Sequence, residues 1–304
     1  MVTKKTITLR AFAIKGNKLS QRSNLLRQLL IQKLENSTTG DRRMRLNQAE
    51  AEENLLAHFS LYPNYVFGMM LRITNEGVSG QINPKLFEQK NICIEDIASE
   101  VDSNMSLYKD HYYFLLSDDK IVVSLPTERT TKDLQTYLNW LLEDERDNCM
   151  FELQPMISQS IPTTQLKEIK NVLIGSSTQT SLDSLSSTKI LSLKNITKDL
   201  LKHIIQDTNT VEEIVESNLV RTELRIHFPK KVKNTSKEDL ERILGATIAP
   251  ISDLEGIRIE TNKGTFISGE ELPCKKKVEI NRTSKGYVVE EELKQEMELF
   301  ISKL

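Results

Sequence analysis

The stretch from His111 to Met156 constrains the fold more than any other part of the chain. HYYFLLS and KIVVSL are two apolar runs joined through Asp118-Asp119, the turn chemistry of a β-hairpin. Thr130 or Thr131 then caps a helix with Leu134, Tyr137, Leu138, Leu141 and Leu142 on one face and Trp140 nearby. Met150 to Met156 (MFELQPM) returns as a strand ended by Pro155. A strand pair, a crossing helix and a further strand predict an α+β domain.

The flanking segments extend this pattern. Thr6 to Ile14 carries apolar residues at 7, 9, 12 and 14 and nearly alternates, as a strand with one irregular step does. Ser20 is placed as the N-cap of a helix whose Leu25, Leu26, Leu29, Leu30 and Leu34 form a stripe, leaving Arg22, Arg27 and Lys33 toward solvent. Gly40 to Asn47 is polar and turn-initiated, and Tyr65 to Thr74 (YVFGMMLRIT) suits a central strand. Residues 176–188 (SSTQTSLDSLSST) hold nine Ser/Thr and read as a loop or linker. Beyond it, Ile196 to Ile205 and Val211 to Val215 read as helical, and Thr222 to Phe228 as a half-exposed strand closed by Pro229. Ser236, with Asp239 three residues on, opens a helix that Gly245 stops. Gly256 to Thr261 and Lys277 to Arg282 are strands, and Glu290 to Leu304 is a helix with Leu293, Met297, Phe300 and Ile301 on one face.

At roughly 100 to 200 residues per domain, a chain of 304 residues suggests two. The expected architecture is α+β, with mixed or antiparallel sheets and packed helices. An N-terminal domain spans 1–175, the Ser/Thr-rich segment is 176–188, and a C-terminal domain spans 189–304.

Enzyme chemistry is hard to find. The chain has no GxxxxGK[ST] loop, no GxGxxG after a strand, and no HExxH or paired His/Cys spacing. No cofactor, metal site or small-molecule substrate is therefore expected. His58, His111, His203 and His227 fall on separate elements, and none is assigned a catalytic role. Glu168-Ile-Lys170 resembles the carboxylate-x-lysine end of a metal-dependent nuclease site, which would also need an aspartate such as Asp147. Three scattered cysteines, Cys93, Cys149 and Cys274, suggest neither a disulfide framework nor a CxxC pair. No apolar run approaches the roughly 20 residues needed to cross a bilayer, and Lys4-Lys5 leads into a strand pattern rather than a signal-peptide core. A cytoplasmic protein is expected.

Charge is the informative feature. Lys+Arg number 41 against 43 Asp+Glu, yet residues 1–48 hold eleven cations against only Glu35 and Asp41. Arg42, Arg43 and Arg45 cluster at a turn. Lys230, Lys231, Lys233 and Lys237 surround Pro229 and a helix start, where backbone amides also favour anions. Lys275, Lys276 and Lys277 with Arg282 and Lys285 form a third group. Any one group reads more readily as a solvated face; three together shift the balance toward one continuous positive groove for the phosphates of double-stranded DNA. Six phosphate contacts would make affinity fall with roughly the fifth to sixth power of salt, without base readout. Few aromatics flank these lysines, which favours duplex backbone over stacking on single strands. Two rivals remain: a metal-dependent nuclease, and a protein-binding adaptor whose basic faces meet an acidic protein.

The succession of elements resembles the RexA family of prophage-encoded exclusion proteins. The similar segments are Ile94 to Ile97, FLLSDDKIVVSLPTERTTKDLQTYL (114–138), FELQPM (151–156), VLIGSST (172–178), LRIHFPKKVKNTSKEDLERIL (224–244), GIRIETNKG (256–264) and the terminal helix. The resemblance implies a cytoplasmic homodimer that binds DNA with little sequence preference. It further implies an intracellular infection sensor in anti-phage defence and abortive infection, triggering a small membrane effector encoded beside it. Phage replication or recombination intermediates would be the stimulus; in the same setting the rival nuclease would act on invading DNA and the rival adaptor would meet an acidic phage protein. The family offers no catalytic residue to carry over; the lysines of HFPKKVKNTSK match one of its basic stretches and are expected to contact phosphates.

Overall fold

The computed structural model describes residues 4–16, 23–45, 52–74, 81–82, 84–95, 97, 106–125, 131–144, 150–158, 161–175, 223–227, 236, 239–240, 243–244 and 257–304. In chain order these form β1 (Lys4–Gly16), α1 (Ser23–Glu35), a 3-10 turn (Gly40–Arg42), β2 (Arg43–Arg45), β3 (Glu52–Leu61), β4 (Val66–Thr74) and β5 (Gln81–Ile82). There follow a second 3-10 turn (Pro84–Glu88), β6 (Ser106–Leu116), β7 (Lys120–Val123), α2 (Thr131–Leu141), β8 (Phe151–Pro155), α3 (Thr163–Lys167) and β9 (Ile169–Gly175). The last elements are β10 (Glu223–His227), β11 (Ile257–Thr261), β12 (Phe266–Ser268), β13 (Lys275–Asn281) and α4 (Glu290–Ile301). The α+β class is as expected. The cap at Ser20, the 176–188 segment and the helices at 196–205 and 211–215 lie outside the described residues.

The chain divides into two compact units. One comprises Met1–Leu153 together with Lys275–Leu304, the other Gln154–Cys274. This departs from the expected boundary in the Ser/Thr-rich segment. β13 pairs antiparallel with β1 along Lys4 to Arg10, which ties the chain's last strand to its first. β9 pairs with β10 and β11, which places it in the second unit rather than the N-terminal one. Strand pairing between distant segments leaves no mark in local composition.

In the first unit a sheet runs β13-β1-β7-β6-β4-β3-β2, with β5 beside β6 and β8 beside β1. Helices cover both of its faces. On one, Phe12, Ile14, Met70, Tyr112, Phe114 and Ile121 pack with Leu26, Leu30 and Leu34 of α1 and Leu134, Tyr137, Leu138 and Leu141 of α2. On the other, α4 packs on β13, β7 and β6 and buries Leu293, Met297, Phe300 and Ile301. The hairpin forms where Asp118-Asp119 predicts it: Ser117 N donates to Lys120 O at 2.9 Å. Gly68 faces Phe114 across β4 and β6, and a Cβ at that position would lie 2.5 Å from the phenyl ring. Only glycine fits between these strands.

The second unit holds a four-stranded antiparallel sheet in the order β10-β9-β11-β12. One face carries Ile169, Val172, Ile257, Ile259 and Ile267 into a core with Leu166, Leu240, Leu244 and Leu272. Ser236 caps the following turn as its spacing predicts: its Oγ accepts the Asp239 N–H at 3.1 Å and donates to Asp239 Oδ2 at 2.9 Å. Gly264, at φ +75°, closes the β11–β12 hairpin in the left-handed region that side chains resist.

Candidate nucleic-acid interface

Antiparallel pairing puts directly opposite residues on the same side of a sheet. The β1/β13 register sets Arg10 opposite Lys275, Thr8 opposite Lys277, Thr6 opposite Glu279 and Lys4 opposite Asn281. These eight side chains share the face on which, further along β1, Phe12 and Ile14 enter the α1/α2 core. Strand alternation therefore splits the Lys275-Lys276-Lys277 triplet. Lys275 and Lys277 are exposed beside Arg10 and the Thr6 and Thr8 hydroxyls. Lys276 points the other way, where its Nζ lies 2.6 Å from Glu296 Oε2 of α4.

Arg10, Lys275 and Lys277 have no carboxylate partner among the described residues. Arg10 is partly buried, and that burial pulls its guanidinium below the ordinary arginine value; it stays charged at any physiological pH. Lys4, further along the same face, is spent on Glu279 at 3.7 Å, an exposed pair worth little stability. Lysines on an edge strand also discourage edge-to-edge pairing. That role covers Lys275 and Lys277 on β13 but does not account for Arg10, which stands on the inner strand.

The other expected contacts fall elsewhere, and several are corrected. Arg42 is not on the surface at all: it is fully buried. Its guanidinium lies 4.9 Å from the Phe59 ring centre, Nη2 donates to Lys90 O, and burial lowers its pKa to about 10. Tyr137 of α2 locks the same loop by donating its hydroxyl to Arg42 O at 2.7 Å while accepting the Leu56 N–H at 2.9 Å. Arg43 turns to Glu53, with Nε 2.7 Å from Oε2, and stacks over Phe87 at 4.2 Å. Arg27 pairs with Asp118 and donates Nη1 to Pro63 O at 2.8 Å. Arg282 is exposed just beyond β13. Arg45 lies in β2 with its side chain outside the described residues, as are Arg22, Lys230, Lys231, Lys233 and Lys237. Of the described candidates, Arg42 is thus buried, and Arg43, Arg27 and Lys276 are paired with carboxylates. What remains is a compact patch on one strand pair, and its key member, Arg10, had not been singled out: only the pairing of the chain's ends reveals it.

The nuclease-like tripeptide is likewise engaged elsewhere. Glu168 Oε1 lies 2.7 Å from Lys263 Nζ, and Lys170 Nζ lies 3.5 Å from Glu260 Oε1. Asp147 lies outside the described residues. Among those described, no group of three or more His, Cys, Asp or Glu is placed to hold a metal ion, and no helix is long and apolar enough to cross a membrane. Comparison with models of known protein families finds no match, and comparison with curated proteins finds none either.

Proposed function

We propose that the β1/β13 face binds the phosphate backbone of double-stranded DNA without sequence readout, and that the protein serves anti-phage defence as a RexA-like infection sensor. The observation that carries the binding reading is the opposition of Arg10 and Lys275, with Lys277 one step along and no carboxylate among them. Like charges directly opposite in a sheet are destabilising. A polyanion relieves that repulsion, and releasing its counterions supplies the affinity. The face is a broad pleated surface flanked by two threonine hydroxyls, suited to phosphate oxygens rather than to base edges in a groove.

The sensing role, the homodimer and the small membrane effector rest on the resemblance to the RexA family. A gel-shift titration on unrelated duplexes at two salt concentrations tests the binding. Three phosphate contacts make affinity fall with roughly the third power of salt, and Lys275→Glu with Lys277→Glu abolishes the shift while the protein stays folded. No binding even at low salt would sink the reading; cutting of the DNA once magnesium is added would favour a nuclease instead.

A further inference from the structure

The outer face of the four-stranded sheet in the second unit presents two rows of side chains. Across the strands, His227 stands opposite Asn171, Asn171 opposite Glu260, and Glu260 opposite Phe266. One step along the strands, Arg225, Leu173, Arg258 and Ser268 form the second row. The rows lie about 7 Å apart and each spans about 14 Å, from the rise and spacing of β-strands.

Phe266 is 62% exposed, the most exposed large hydrophobic side chain among the described residues. Its neighbour Ile267 already supplies the core contact of β12, at 5% exposure. The phenyl ring therefore does nothing for this unit's interior. Arg225 and Arg258 are exposed in the adjoining row, and Arg258 has no ion pair among the described residues. Glu260, the acid in these two rows, is already engaged: Asn171 Nδ2 donates to its Oε2 at 2.6 Å and Lys170 reaches its Oε1, and the Asn171 bond leads in holding its pKa down. That contact fixes the asparagine amide, so Asn171 Oδ1 faces His227 Nδ1 at 2.8 Å. An amide oxygen only accepts, so Nδ1 carries a proton.

We infer that this face binds single-stranded nucleic acid, with a base stacked on Phe266 and the backbone held by Arg258 and Arg225. An exposed ring one row from guanidinium groups matches the way unpaired bases are taken: the π-face on an aromatic, the phosphate on arginine. A duplex keeps its base faces stacked away and gains nothing from Phe266. An apolar protein partner would bury Arg258 without a counter-ion, at a cost of several kcal/mol. The sequence argued against stacking because few aromatics flank the lysine runs; folding brings Phe266 to an arginine that is eight residues away in the chain.

Fluorescence anisotropy of the full chain with labelled oligothymidylate, and with a duplex of equal length, tests the inference. Phe266→Ala and Arg258→Glu each weaken the single strand about tenfold and leave the duplex unchanged, while Phe266→Tyr restores binding. Lys275→Glu with Lys277→Glu does the reverse, so failure of duplex binding leaves this inference standing. No oligothymidylate binding at low salt, or no loss in Phe266→Ala with its fold intact, overturns it.

Discussion

Arg10 and Lys275 face each other across β1 and β13 with no carboxylate between them. A sheet that placed these residues for stability alone would set an acid within reach of the cations, as it does further along the same face, where Lys4 meets Glu279 on the diagonal. The pair is stable enough to fold because both chains sit at the exposed margin of a large core. Its repulsion is a standing cost that an anionic ligand removes.

Lys275→Glu turns that repulsion into attraction. The unliganded protein gains about 0.2–1 kcal/mol, read as a higher denaturation midpoint, while its affinity for duplex DNA falls. A variant that loses both stability and DNA binding would show that Lys275 is structural.

Arg42 is predicted to matter for folding and not for DNA. Arg42→Ala removes the Phe59 stacking and the Lys90 carbonyl contact and lowers stability by about 2–4 kcal/mol. Arg42→Met, which refills the volume without a buried charge, loses much less. Both variants bind duplex as the parent does; a folded Arg42→Met protein with no DNA affinity would place the interface at this loop instead.

Tyr137→Phe deletes one hydroxyl that serves two backbone groups, Leu56 N–H and Arg42 C=O. Leaving these buried groups unsatisfied costs about 1–3 kcal/mol. Hydrogen exchange checks the location of the effect: the Leu56 amide loses protection while β13 does not.

Gly68→Ala places a methyl 2.5 Å from the Phe114 ring, in the middle of a closed core. Overpacking of this kind costs about 1–3 kcal/mol. Combining it with Phe114→Leu recovers part of the loss, and chemical denaturation of the three variants measures the coupling.

His111 sets a pH limit. Burial, with Lys5 adding repulsion and Glu290 opposing, lowers its pKa from 6.5 to about 4. The unfolded chain therefore takes up a proton near pH 6.5 that the folded protein refuses until about pH 4. Stability from this residue is whole above pH 6.5 and drains as pH falls, by about 2 kcal/mol between pH 7 and 5. His111→Gln shrinks the difference between urea midpoints at those two pH values; an unchanged difference would assign the loss to other groups.

Local signals were legible in the sequence where a short range of chain decides the outcome. The Asp118-Asp119 hairpin, the leucine stripe of α1, the capped turn at Ser236 and the amphipathic α4 all follow from neighbours a few residues apart. β3 escaped notice for a physical reason. Both faces of its sheet are covered, so Leu55, Leu56 and Ala57 are all fully buried, and a register shift at Leu56/His58 breaks the alternation.

The sequence by itself determined the α+β class and the abundance of cations, because periodicity and composition are properties of the chain read in order. Tertiary structure alone decided which of those cations can meet a ligand. A strand's pleat sends Lys276 to Glu296 and its two neighbours to solvent, burial withdraws Arg42, and the pairing of β1 with β13 delivers Arg10. Each outcome depends on what lies across a sheet, and that register is set by packing between segments far apart in the chain.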